Sequence, residues 1–179
     1  MTLIVNFVAG PGAGKSTTAA KTFALLKESD INSELIQEYA KELSWIKDFK
    51  TLGDQYYVTG VQNHRQYILD GEVKVMITDS PILVGLLYYE EKNKKIKNLF
   101  ERFVVEKYKS QNNLTYFIKR TKKYNPKGRN QTEEEAKQKD AEAKNLLDKY
   151  KIPYRIIEGN KLAARTVVRD IKERLNGLE

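Results

Sequence analysis

Residues 9–18 read AGPGAGKSTT and follow the apolar run LIVNFV. A strand, a Gly-rich turn ending in Gly-Lys-Ser and then a helix form a setting that holds phosphate. Glycines let successive backbone N–H groups turn inward as an anion nest, and the helix N-terminus behind them favours negative charge. In that setting Gly10, Gly12, Ala13 and Gly14 supply the loop. Lys15 reaches the β- and γ-phosphates of a nucleotide, the Ser16 hydroxyl ligates Mg²⁺, and Thr17 donates to the α-phosphate. Six positions before the lysine the strict pattern has glycine, and here Ala9 stands there with Gly10 beside it. The nest amides come mainly from Gly12 to Thr17, so the change is expected to be tolerated. Lys15 itself is expected in a solvated loop, outside the core.

Two carboxylates stand at strand ends. In VKVMITDSP an apolar strand delivers Asp79 to the carboxyl edge of the sheet, where open α/β sheets bind ligands. Asp79 can serve Mg²⁺ or accept a proton from an attacking hydroxyl; the alternative is helix capping beside Ser80. In SELIQEYAKEL a second strand is expected to end at Glu38, which would face a phosphoryl acceptor. Its alternative is a first-turn glutamate favoured by the helix dipole. Gln62, His64 and Arg65 share a polar helix, and Arg65 is the candidate for gripping an acceptor. The segment FIKRTKKYNPKGRNQTEEEA carries Arg120 and Arg129, either of which can stabilise charge on a transferring phosphoryl group. Solvated loop charge is the other reading of these residues.

These groups need a frame. Five β-branched runs, at 3–8, 33–37, 73–78, 114–118 and 154–157, alternate with stretches of helical period at 14–28, 39–46, 52–70, 81–90, 97–110, 133–150 and 160–176. The pattern predicts an α/β chain with a parallel sheet and helices on both faces. The first and third runs are the most continuously apolar and read as central strands. Ser80-Pro81 predicts an N-cap with proline at the first helical position, Thr132 with Glu135 a capping box, and Asn112-Asn113 a helix end. At 179 residues with 40% hydrophobic content, a single globular domain over 1–179 is expected. There is no cysteine, which removes disulfides and thiolate metal sites. No apolar run is long enough to span a bilayer, and the N-terminal run is too short for a signal peptide. A soluble, cytoplasmic protein is expected, without a membrane partner. Of the net charge of +8, the stretch Lys92–Arg129 holds a surplus of +11. Lys94, Lys95 and Lys97 there are either a solvated helix face or part of a basic wall for a polyanion.

The phosphate loop, QEYAKEL, TDSP and the basic segment before a final βα unit resemble small P-loop kinases, and specifically the ribosylnicotinamide-kinase-like group with its phage-encoded members. The resemblance implies a five-stranded parallel sheet in the order 2-3-1-4-5, a basic lid at about 120–132, and ATP with Mg²⁺ as cofactors. It also implies γ-phosphoryl transfer to a hydroxyl of a nucleoside- or nucleotide-like acceptor, in the host cytoplasm for a phage member. By position, Gly10 to Thr17 and Arg120 would bind ATP, and Ser16 and Asp79 would serve the metal. Lys15, Asp79, Glu38 and Arg129 would carry catalysis, Glu38 and Arg65 would face the acceptor, and 158–160 would lie near the adenine. A second reading is a kinase for a nucleic-acid hydroxyl, held by the basic 92–129 region. A third is a non-kinase NTPase. Against it, the chain has no guanine-reading N-K-x-D tetrapeptide and is short for the extra helical subdomain of ring-forming ATPases.

Overall fold

Every residue of Leu3–Val8 is buried, and this run forms the central strand β1. A strand covered on both faces is nearly continuous in apolar residues, and Asn6 is the one polar residue of this run. In the computed structural model, which describes residues 1–121 and 132–177, β1 is followed by α1 (Lys15–Lys27), β2 (Ser33–Ile36), α2 (Tyr39–Trp45), α3 (Phe49–Gly53) and α4 (Gln55–Tyr67). Then come β3 (Val75–Thr78), a 3₁₀ turn (Ile82–Leu87), α5 (Lys94–Lys109), β4 (Asn113–Lys119), α6 (Glu133–Lys149), β5 (Arg155–Glu158) and α7 (Ala163–Asn176). The five strands are parallel in the order β2-β3-β1-β4-β5, as the resemblance implied. The register Asn6↔Thr78 on one side and Val8↔Phe117 on the other brings the carboxyl ends of β1, β3 and β4 to one edge.

Pleating divides the core. Leu3, Val5 and Phe7 pack with Leu26 of α1 and Val167 and Ile171 of α7 on one face. Val8 and Phe117 pack with Leu83, Val104 and Leu147 on the other. The buried Asn6 is kept in the strand by bonds from its amide to Ile4 O and Asn113 Oδ1. Helices therefore cover both faces, and the loops at the carboxyl edge are left to form a site.

Several boundaries differ from expectation for identifiable reasons. The helix expected over 52–70 is broken, because Asp48 caps α3 and Asp54 accepts the Tyr57 N–H and restarts the chain as α4. The helix expected over 81–90 is only the 3₁₀ turn, with Pro81 as its N-cap and no Ser80 cap. Ser80 instead donates its N–H to Thr78 Oγ1 at 3.1 Å, and Gly85 packs so closely on α4 that a Cβ would lie 2.5 Å from Thr59 Oγ1. α5 starts early, at Lys94, because Asn93 accepts from the Lys95 and Ile96 amides. It ends at Lys109, so Asn113 opens β4 and does not close the helix. The Thr132–Glu135 capping box is present. β2 ends at Ile36, which moves Glu38 off the strand and onto the N-cap of α2.

Gly159, just beyond β5, donates its N–H to Lys119 O at 2.9 Å and lies against the phosphate loop. A Cβ there would collide with Ala13 O and sit 3.0 Å from Ile118 Cγ2. Gly159→Ala is expected to cost about 1–3 kcal/mol, the range for overpacking. The check is the urea midpoint at unchanged m-value; a midpoint equal to wild type would mean that the loop tolerates displacement.

Candidate active site

The turn after β1 uses left-handed backbone at Gly12 (φ 78°) and Gly14 (φ 106°), where a side chain would be strained. Gly14 is the N-cap of α1 and offers no side chain, so the first-turn amides of α1 have no side-chain cap. Ala9 is buried and its methyl joins the core cluster under β1, which accommodates the departure from glycine.

Lys15 differs from expectation. Its side chain is only partly exposed, and its ammonium folds back on the loop, donating to Ala9 O at 2.8 Å and Gly10 O at 3.0 Å. Burial lowers its pKa; Glu38, Asp79 and Asp140 pull the other way, and Arg120 adds to the lowering. Glu38 mirrors it. Burial raises the Glu38 pKa, Lys15 opposes the rise and Asp79 reinforces it. One cation and two carboxylates from three separate elements thus share one electrostatic neighbourhood.

Asp79 is 7% exposed and lines the same cleft as Ser16 and Glu38. Neither carboxylate acts as a side-chain cap, because Pro81 caps the turn after Asp79 and Glu38 makes no capping bond. The cleft has a volume of about 380 Å³, within the range of small-molecule sites. Its far wall is α2: Glu38, Lys41, Glu42 and Trp45 recur at i, i+3, i+4 and i+7, so one helix face looks into it. A hydroxyl at Ser16 and a carboxylate at Asp79, together with phosphate oxygens, suit Mg²⁺, which keeps several waters and needs few protein ligands.

Arg65 does not line this cleft. It donates to Gln37 O at 3.0 Å and Glu42 at 2.8 Å, stacks over Tyr39, and so braces the wall. Gln62, its neighbour on α4, accepts the Tyr39 N–H at 3.2 Å and approaches Thr78 Oγ1 at 3.5 Å. It ties the residue after Glu38 to the residue before Asp79. His64 is exposed. Arg120 pairs with Asp140 at 2.9 Å and donates to Pro11 O at 2.8 Å. Arg129 lies outside the described residues. Lys94 and Lys95 are exposed, Lys97 is partly so, and none of the three lines the cleft.

Two residues escaped the sequence reading. Trp45 was detectable, since it continues the helix face that starts at Glu38. Asp140 was harder to see. Its signal is a carboxylate one turn after Ala136, on a helix whose buried positions are Ala136, Ala143 and Leu147.

The raised Glu38 pKa has a stability consequence. Unfolded, the carboxyl ionises near its usual 4.5; folded, it ionises at higher pH, even with the attraction of Lys15 included. The fold is therefore favoured at pH below the unfolded value and loses that advantage as pH rises through the folded one. Glu38→Gln is expected to raise Tm at neutral pH, by about 2–4 °C for each kcal/mol relieved in a chain of this size. The gain should vanish as pH falls below the usual carboxylate range. A Tm gain independent of pH, or a loss at neutral pH, would contradict the burial of this charge.

Comparison with known proteins agrees with the geometry. A family model described as an AAA domain matches residues 4–165. No curated protein matches the chain. The match spans β1 from its second residue, the phosphate loop, Glu38, Asp79 and the other four strands. The chain belongs to this AAA-domain family of P-loop nucleotide-binding proteins.

Proposed function

We propose that this protein is an ATP- and Mg²⁺-dependent kinase that transfers the γ-phosphoryl group to a hydroxyl of a nucleoside-like acceptor, in keeping with its resemblance to the ribosylnicotinamide-kinase-like group. One observation carries the reading. Beside the phosphate loop lies a cleft lined by Ser16 and Asp79 together with Glu38, Glu42 and Trp45. A hydrolase needs room for a water; a cleft of about 380 Å³ is room for a second substrate.

The charge of that cleft bears on the acceptor. Its lining sets Glu38 and Asp79 against Lys41, with Glu42 paired to Arg65 behind the wall. Carboxylates repel phosphate, so the lining favours a neutral or cationic acceptor over a nucleotide or a strand end. The indole of Trp45, 69% exposed, offers a flat ring its stacking surface.

In this mechanism the amides of the loop and Lys15 hold the triphosphate, and Ser16 and Asp79 would hold Mg²⁺, which neutralises phosphate charge when bound. Lys15 exchanges its carbonyl partners Ala9 and Gly10 for phosphate oxygens. Glu38, whose burial strengthens it as a base, takes the proton of the acceptor hydroxyl as the new O–P bond forms and ADP leaves. Arg120 and Arg129 are assigned to the charge of the transferred group, and the Gly159 loop, beside Ala13, to the adenine side. A location in the cytoplasm accords with the absence of cysteine and with ATP as donor.

The family match keeps a second reading, NTP hydrolysis without an acceptor. Both are tested by incubating the protein with γ-labelled ATP, Mg²⁺ and a panel of nucleosides, nucleotides, single strands and hydroxymethylated DNA. Label is expected on a nucleoside, and Lys15→Ala should cut its transfer by about 10²-fold or more. Label only in inorganic phosphate would establish the NTPase, and label on a strand the nucleic-acid kinase.

A further inference from the structure

The carboxylate of Asp140 is divided between two tasks. Its Oδ1 accepts the Gly10 N–H at 2.6 Å, across 130 residues of chain. Its Oδ2 accepts Arg120 Nε at 2.9 Å, in a pair whose side chains are only 10% and 18% exposed. Arg120 in turn donates through Nη2 to Pro11 O at 2.8 Å and to Ala136 O at 3.4 Å. The contact is close, because a Cβ on Gly10 would collide with Ala136 O and lie 2.8 Å from Asp140 Oδ1.

The Gly10 peptide is therefore held from both ends. Asp140 holds its N–H, while its C=O receives the Lys15 ammonium. The neighbouring Pro11 carbonyl is held by Arg120, which Asp140 orients. Two of the contacts that shape the entry of the phosphate loop, on the Gly10 N–H and on the Pro11 C=O, thus lead back to one side chain on α6.

We propose that Asp140 is a positioning residue for the nucleotide reaction, setting the phosphate-loop entry through the Gly10 amide and the working direction of Arg120 through its guanidinium. Asp140 touches no substrate. It acts through two groups that do their work at the phosphates, and a charge-assisted acceptor suits this because it fixes direction as well as distance. The turnover part of this proposal rests on the phosphoryl-transfer reading; the binding part rests only on the phosphate loop.

The two tasks separate by substitution. Asp140→Asn keeps a carbonyl oxygen for the Gly10 N–H but removes the charge that holds Arg120, whereas Asp140→Ala removes both. Asp140→Asn is expected to lower kcat by about tenfold or more with little change in affinity for a fluorescent ATP analogue, as a misaimed group does. Asp140→Ala should in addition weaken that analogue by about tenfold. Because the charge acts through Arg120, Asp140→Asn combined with Arg120→Gln should be no slower than Arg120→Gln alone. Multiplying effects in the double variant, or a kcat within about twofold for Asp140→Asn despite a lowered Tm, would overturn the proposal and leave a purely structural contact. If the wild type turns over no ATP with any acceptor, the kinase reading fails, and the same cycle is read in analogue affinity using Asp140→Ala and Arg120→Gln. Non-additive losses there support the proposal, and additive losses or none overturn it.

Discussion

A half-buried ammonium needs partners, and the organisation of this molecule follows from where Lys15 finds them. Its charge lies inside a loop of backbone, on the carbonyls of Ala9 and Gly10, with Glu38, Asp79 and Asp140 as the surrounding carboxylates. Those three come from the segment after β2, the segment after β3 and the middle of α6. The parallel sheet, with β1 between β3 and β4, brings all three to the carboxyl edge beside the loop. The charge cluster and the strand order are therefore one fact seen at two scales.

A second layer holds the first in place. Gln62 spans the backbone next to Glu38 and the side chain next to Asp79, Arg65 braces Gln37 and Glu42, and Asp140 with Arg120 fixes the loop entry. Such supports suit the proposed phosphoryl transfer, a chemistry that draws its rate from alignment and preorganised charge. Burial of Glu38 and Lys15 costs stability and in return gives a stronger base and a less screened cation. The cost is carried by the apolar layers on either side of β1.

What could be read from the chain and what could not divides along physical lines. The phosphate loop was legible because glycines at fixed offsets mark left-handed backbone, here at Gly12 and Gly14. The central strands were legible because a strand covered on both faces is nearly continuous in apolar residues, as LIVNFV is but for Asn6. Asp79 and Glu38 followed from strand ends, though the end of β2 came two residues early. The folding of the Lys15 ammonium back on the loop was not legible, because it depends on carbonyl directions. The break at Asp54 and the 3₁₀ form of the turn after Pro81 were not legible, because a cap and close packing overrode helical period. Asp140 and the bracing duty of Arg65 arise from contacts across distant elements, which no local pattern encodes.

In the proposed kinase the cleft between α2 and the phosphate loop receives the second substrate. Trp45 is the only tryptophan in the chain and lines that cleft, so its emission reports occupancy without any assumption about turnover. The direct measurement is tryptophan fluorescence while neutral and cationic nucleosides are titrated into the protein saturated with a non-hydrolysable ATP analogue. Saturable quenching by a nucleoside, with little response to its phosphorylated form, is the predicted result. Unchanged emission with every hydroxyl-bearing acceptor, in a protein that still binds the ATP analogue, would contradict it.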